Sequence, residues 1–259
     1  KKIITTSLWS SELSKLIANA FLAQRISSIN SVSAICEETG ADVQEVALAV
    51  GADKRIGNHF LKAGPGFGGS CFKKDILNLV YICNHYGLYE VASYWQKVIE
   101  INDWQQKRIS TLIVEKLFGT LSGKKISILG FSFKANTNDT RESPSIKICK
   151  ELLEEGANLA IYDPRVNRKQ IEIDLKRKNT SIPTNSTFEG SWSYCQSIKE
   201  TSFDSDAMLI LTEWDEFKEI DWYEISKIMR KPSWIFDTRS IANLIEAKKY
   251  GLNTWRIGI

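Results

Sequence analysis

At Ser122-Gly123 the hydrophobic period of the chain changes, and that change limits it to a helical segment followed by an α/β segment. Before it, Leu13, Leu16, Ile17, Ala20, Ser27, Ser31, Ala34 and Ile35 follow one helical stripe over about eight turns. That is long for a globular helix, and its Ser and Ala positions suit close approach of a second helix. A central connecting or dimer-forming element is expected. Asp42 caps a short helix to Val50, Cys71 to Tyr86 form another, and Glu90 to Phe118 form a second long one. Its stripe carries Val91, Tyr94, Trp95, Val98, Ile101 and Ile109.

After Ser122-Gly123, short apolar runs alternate with helical patterns. Strands are expected at Lys125 to Leu129, Asn158 to Tyr162, Ala207 to Leu211, Trp234 to Asp237 and Thr254 to Ile257. Helices are expected near Ser145 to Glu155, Trp222 to Met229 and Ile241 to Tyr250. The alternation predicts a doubly wound, Rossmann-like parallel sheet. The polar stretch between Arg165 and Ser205 reads mostly as loop, with one short helix or strand. Residues 1–121 therefore read as a helical central domain and 122–259 as an α/β domain, which 259 residues at 43% hydrophobic content can furnish with two cores.

Charge excludes one class of partner. With 34 basic against 31 acidic residues the chain lacks the excess expected of a nucleic-acid binder, while small anions remain possible ligands. No membrane span or signal peptide is visible. The five cysteines include no C-x-x-C pair, which argues for reduced thiols in the cytoplasm and against structural zinc or another metal site. Lys1-Lys2-Ile3-Ile4-Thr5-Thr6 reads as the end of a strand or linker, so the chain is expected to begin inside a longer protein.

Gly64-Pro65-Gly66-Phe67-Gly68-Gly69-Ser70-Cys71-Phe72-Lys73-Lys74-Asp75 carries the chemistry. It places Cys71 where a glycine loop meets a helix N-terminus, whose partial positive charge, with Lys73 and Lys74, favours the thiolate. Asp75, four residues on, lies over the same face, within reach of a water or proton beside the sulfur. Gly64-x-Gly66-x-x-Gly69 also matches a dinucleotide fingerprint, but the preceding residues do not alternate as a strand must. The glycines read better as letting the backbone approach a bulky anionic ligand; the bland alternative is a surface loop before a structural cysteine. Lys15 and Asn19 stand at i and i+4, either as an oxyanion-stabilising pair or as an exposed polar face. In the sheet, Lys134 and Arg239 follow strand ends, where ligands of doubly wound folds sit, and could hold phosphates; solvated charges are the alternative. Asp139 to Pro144 reads as the capping segment of the next helix. A thiol hydrolase would need a histidine beside Cys71, and only His59 and His85 exist.

Several of these motifs, in order, resemble one known family. They are Glu12-Leu13-Ser14-Lys15-Leu16, Ala18-Asn19-Ala20-Phe21-Leu22-Ala23, Arg25-Ile26-Ser27, Arg55-Ile56-Gly57, Gly66 to Phe72 with Lys74-Asp75, Gly130 to Lys134, and Asp139 to Ser143. Together they resemble the UDP-glucose/GDP-mannose dehydrogenase family, and Cys-Phe-x-Lys-Asp resembles its UDP-glucose 6-dehydrogenase branch. The resemblance runs from about Thr5 to the C-terminus and is weakest between Arg165 and Ser205. It implies NAD-dependent, two-step oxidation of UDP-glucose to UDP-glucuronate, with Cys71 as nucleophile through a thiohemiacetal and a thioester. Asp75 and Lys15 would activate water, and Lys15 and Asn19 would stabilise the oxyanion. Lys62, Gly66, Phe67 and Gly68 would wrap the substrate, with Phe60 beside the uridine and Phe133, Lys134 and Arg239 on the UDP. Arg55 would reach substrate across a homodimer interface formed by the long helices, in a dimer or larger homo-oligomer. Cys71, Lys74 and Arg141 would approach NAD from the substrate side. The family's N-terminal NAD-binding Rossmann domain has no counterpart here, so the chain resembles the central and C-terminal portion. Alone it is expected to bind UDP-sugar weakly and not to reduce NAD+. The alternatives are a dehydrogenase of another nucleotide sugar, or a non-catalytic binding and dimerisation module.

Overall fold

The computed structural model describes residues 3–176 and 190–259. Its helical part comprises α1 (Leu8–Thr39), α2 (Val43–Ala52), α3 (Phe72–His85) and α4 (Tyr89–Lys116). Ser7 accepts the Ser10 N–H to start α1, and left-handed Gly40 ends it. Asp42 caps α2 through the Gln44 N–H. α1, α3 and α4 enclose a core of Ala20, Ala23, Ile76, Leu79, Trp95, Val98 and Ile99, the two alanines allowing close helix approach. Ile35, read as part of the stripe, is 60% exposed. Fifteen residues past Ala20, it lies about 60° round the helix from it.

The α/β part runs β1 (Lys125–Leu129), α5 (Pro144–Glu154), β2 (Asn158–Tyr162), α6 (Arg168–Leu175), β3 (Trp192–Tyr194), α7 (Ile198–Ser202), β4 (Ala207–Ile210), α8 (Trp222–Ile228), β5 (Trp234–Asp237), α9 (Leu244–Lys249) and β6 (Asn253–Arg256). The sheet order is β3-β2-β1-β4-β5-β6, and every neighbouring pair is parallel. This is the expected doubly wound sheet. Both faces are covered, so Ile126 to Leu129 and Ala207 to Ile210 are buried without a break. Strand order reverses between β1 and β4, and a ligand crevice belongs at their C-terminal ends.

Two expectations need correction. Among its described residues the stretch between Arg165 and Ser205 is not mostly loop: it holds α6, capped by Asn167, then β3 and α7, while the expectation for residues 177–189 lies outside the described residues. α6 buries only Ile171 and Leu175 among polar neighbours, and β3 is a three-residue edge strand, so neither leaves a clear pattern. The helix expected from Ile241 starts at Leu244, because the Ile241 and Ala242 N–H groups donate to Asp237 instead.

The two parts are joined by packing. Ile109 and Ile113 on the second half of α4, and Leu117 just past its end, enter the sheet's core beside Ile126, Ile128 and Phe236. The C-terminus then returns to the helices: Arg256 pairs with Asp42 at 2.7 Å, and the Gly258 N–H donates to Glu37, itself paired with Arg108.

Candidate active site

The glycine loop is held by buried amides from the long helices. On α1, Asn30 Oδ1 accepts the Gly64 N–H at 2.9 Å. On α4, Gln105 Nε2 donates to the Gly64 carbonyl, and Asn102 accepts the Phe67 N–H at 2.7 Å while donating to its carbonyl. Residues 58–70 contain no strand, as a dinucleotide fingerprint would require. The glycines also serve this packing rather than a ligand alone. A Cβ on Gly66 would lie 2.7 Å from Asn102 Oδ1, and one on Gly68 would lie 2.5 Å from the Glu142 carbonyl. The Gly69 N–H donates to the Arg141 carbonyl, and its Cα packs towards the Phe133 ring.

Cys71 is the N-cap of α3, exposed, and makes no side-chain cap bond. Its sulfur lies 3.8 Å from Ser70 Oγ and is otherwise uncommitted. One turn on, buried Asp75 accepts from Asn19 Nδ2 at 2.5 Å, which ties α3 to α1 at the site. Lys15 is exposed one turn before Asn19, without a side-chain partner among the described residues. Lys74 is likewise exposed, whereas Lys73 pairs with Glu142 at 3.0 Å and is not a free cation for the sulfur. The Asp139 carboxylate raises the basicity of Arg141, and a charge on the Cys71 sulfur would raise it further.

A cavity of about 420 Å³ opens between the loop and the sheet, lined by Phe60, Lys62, Gly64, Gly66, Glu213 and Arg239 among others. Phe60 adopts a left-handed φ of 61°, a strained conformation for a bulky residue, with its ring edge-on to Phe72. From the sheet, Phe133 carries the exposed Lys134 ammonium 5.4 Å from its ring centroid. Arg239 is held by groups of the protein itself rather than standing as a solvated charge. Its side chain is 15% exposed, its Nε donates to the Leu211 carbonyl at 2.7 Å, and Glu213 lies 3.1 Å away. Burial pulls its basicity down, against the charges of Glu213 and Asp237. Arg55 is not brought to this site within the chain: its side chain is 89% exposed and grips Asp53 at 2.5 Å. His85 is engaged with Tyr81 and Tyr86 at the far end of α3, and neither histidine bonds Cys71.

The sequence patterns that place these side chains coincide with two domain models. The UDP-glucose/GDP-mannose dehydrogenase family's central domain matches residues 9–104, and its UDP binding domain matches residues 127–244. The chain belongs to this family. It is 52% identical to UDP-glucose 6-dehydrogenase 4 of Arabidopsis thaliana over 99% of its length, and 56% identical to UDP-glucose 6-dehydrogenase of Mus musculus over 93%. It spans 55% and 48% of those two relatives, about half of each. Among solved structures, a UDP-glucose dehydrogenase from Pyrobaculum islandicum matches with a TM-score of 0.78 and 28% identity, covering 96% of this chain and 51% of that one.

Members of the family are NAD-dependent dehydrogenases, but the sheet here does not form a dinucleotide cradle. After β1 comes a single glycine, Gly130, and the β2 carboxylate that a dinucleotide fold offers to a ribose is occupied. Asp163 accepts from the Phe131, Ser132, Arg165 and Val166 N–H groups, the Ser132 hydroxyl and Trp214 Nε1.

Sequence reasoning missed the residues that hold the site. Asn30, Asn102, Gln105, Asp163 and Glu213 act across long sequence separations and leave no local signal. Two others were legible. Asp53-x-Arg55 and Asp139-x-Arg141 share one spacing and one geometry, the aspartate taking both the arginine's N–H and its guanidinium. Each arginine thereby holds its aspartate below the usual carboxylate range. Arg25 fixes the first of these turns from α1, donating to the Ile56 and Gly57 carbonyls at 2.7 and 2.6 Å.

Proposed function

We propose that this chain is the substrate-binding and covalent-catalysis half of a UDP-glucose 6-dehydrogenase. One observation carries the reading: Cys71 stands uncommitted at a helix N-terminus, directly after a glycine loop held by buried amides, with the Asn19–Asp75 pair one turn on.

The sugar's C6 alcohol loses a hydride and, to water, its hydroxyl proton to become an aldehyde, and the Cys71 thiolate adds to that carbon while the C6 oxygen takes up a proton, giving a thiohemiacetal. Loss of a second hydride together with the C6 hydroxyl proton leaves a thioester, which water cleaves to release the carboxylate and the thiol. NAD+ supplies the oxidising chemistry, one equivalent per hydride. The second Asn19 N–H and the Lys15 ammonium stabilise the oxyanion on C6, and Asp75 orders the attacking water and takes its proton. Phe60, Lys62, Gly66, Phe67 and Gly68 hold the nucleotide sugar from the loop, and Phe133, Lys134 and Arg239 hold it from the sheet. Lys62 and Lys134, both exposed, suit the diphosphate. Cys71, Lys74 and Arg141 face the nicotinamide side.

A second copy completes the site. Arg55 projects outward on a turn fixed by Asp53 and Arg25, and Phe21 on α1 and Tyr94 on α4 leave apolar surface exposed on the long helices. A homodimer through α1 and α4 would cover those side chains and deliver Arg55 to its partner's substrate. Five unpaired thiols fit a cytoplasmic enzyme.

The test is Cys71→Ser in the protein extended to the full length of its relatives. Net UDP-glucuronate formation is expected to vanish while UDP-glucose binding persists. Near-wild-type turnover would overturn the covalent route.

A further inference from the structure

Glu213 follows β4 and faces the crevice where strand order reverses. It lines the same cavity as Phe60, Lys62 and Arg239. Its Oε2 atom is buried and has no hydrogen bond, although Arg239 Nε lies only 3.1 Å away. The reason is directional: that N–H is aimed at the Leu211 carbonyl, 2.7 Å from it. Arg239 NH2 reaches the Phe133 carbonyl at 3.4 Å, and NH1 has no partner among the described residues. The Glu213 Oε2 atom is turned into the protein, but the side chain as a whole is 38% exposed, so the cavity wall presents a carboxylate beside a guanidinium whose charge it already balances.

A ligand that fills the cavity strips water from this exposed carboxylate, a cost that a ligand donor recovers. A phosphate brings acceptors and negative charge, so it cannot be that ligand group. A nucleoside brings donors: the ribose hydroxyls and the uracil N3–H. We propose that Glu213 is a specificity-determining residue that accepts a hydrogen bond from the nucleoside of the bound nucleotide sugar. Arg239 balances its charge and donates alongside it, and the diphosphate falls to the exposed lysines. This rests on the reading of the cavity as a UDP-sugar site and names which part of the nucleotide lies against its β4 wall.

The test is calorimetric and needs no turnover. UDP, 2′-deoxy-UDP, 3′-deoxy-UDP, N3-methyl-UDP and inorganic pyrophosphate are titrated into the full-length protein and its Glu213→Gln variant. Loss of the charge-assisted bond should weaken UDP about tenfold or more and leave pyrophosphate unchanged. One of the three analogues should bind the unmodified protein more weakly than UDP by a similar factor, and Glu213→Gln should not weaken that analogue further. The analogue arm reads the contact even if the variant folds poorly. Equal weakening of UDP and every analogue would mark Glu213 as structural and overturn the proposal, as would unchanged UDP affinity in the variant. A full-length protein that binds no UDP would instead overturn the underlying site reading, and this inference with it.

Discussion

Replacing Asn102 by Leu tests whether the glycine loop is preorganised from beneath. Asn102 is 5% exposed and satisfies both the N–H and the carbonyl of Phe67, which is itself 6% exposed. Leucine is close in size, so it opens little cavity and removes chiefly the two bonds. Each buried backbone group left unpaired costs about 1–3 kcal/mol, and the 3.3 Å bond to the carbonyl is the weaker of the two. A net destabilisation of about 2–4 kcal/mol follows, or a fall of about 5–10 °C in the unfolding midpoint at this chain size. Gln105→Leu gives an internal standard. It strands the Gly64 carbonyl, which has a second lone pair, and should cost about 1–2 kcal/mol. Circular dichroism melts of both variants, read for the α-helical signal, give the order. Asn102→Leu costing less than Gln105→Leu, or under about 0.5 kcal/mol, would show that the loop holds its shape without these amides.

Three further outcomes are expected. Gly130→Ala should destabilise the α/β part by about 2–4 kcal/mol in urea unfolding, because φ is 93° there and the new Cβ would meet Thr212; a neutral result would mean that the β1 turn can move. Arg25→Lys should speed tryptic cleavage after Lys54 or Arg55, since one ammonium cannot bridge two carbonyls 2.7 and 2.6 Å from separate guanidinium nitrogens; unchanged cleavage would remove the case for a fixed Arg55 turn. Asp139 has its pKa lowered by Arg141, so its contribution is present above the ordinary Asp value of about 3.9 and is lost as pH falls through the lower folded value. Carboxyl carbon NMR should therefore show Asp139 still ionised at about pH 4, and an ordinary titration midpoint would refute the pairing.

What was legible in the sequence was local. The central strands could be read because parallel strands covered on both faces are unbroken apolar runs, as at Ala207 to Ile210. β3 could not, since only Trp192 of its three residues is buried. Cys71 and Asp75 were visible as one turn of helix, and Lys15 and Asn19 as another. The pairing of Asn19 with Asp75 spans 56 residues, and that of Asn102 with Phe67 spans 35, so only folding brings them together. Gly66 and Gly68 were recognisable as positions where the backbone is approached closely. The approaching groups are Asn102, Phe133 and Glu142 of the same chain, which a glycine pattern cannot name. Arg239 read as a free cation because its burial and its partner Glu213 both come from the sheet's far connections.

A doubly wound sheet of this order usually takes its ligand at the glycine turn after β1, against the N-terminus of the next helix. Here residues 130–143 intervene before α5, and Asp163 draws the Phe131 and Ser132 N–H groups inward, away from any phosphate. The Thr212 hydroxyl closes the same turn by donating to the Ser132 carbonyl. With that place filled, the open side of the switch point is the β4 and β5 connections, which carry Glu213 and Arg239 to face the glycine loop. A ligand in that cavity touches both parts of the molecule at once. Its binding then depends on their fixed separation, which the second half of α4 and the Arg256–Asp42 and Gly258–Glu37 contacts maintain. In the function we propose, a dinucleotide crevice has become one wall of a nucleotide-sugar site, and the helices supply both the opposite wall and the reacting sulfur.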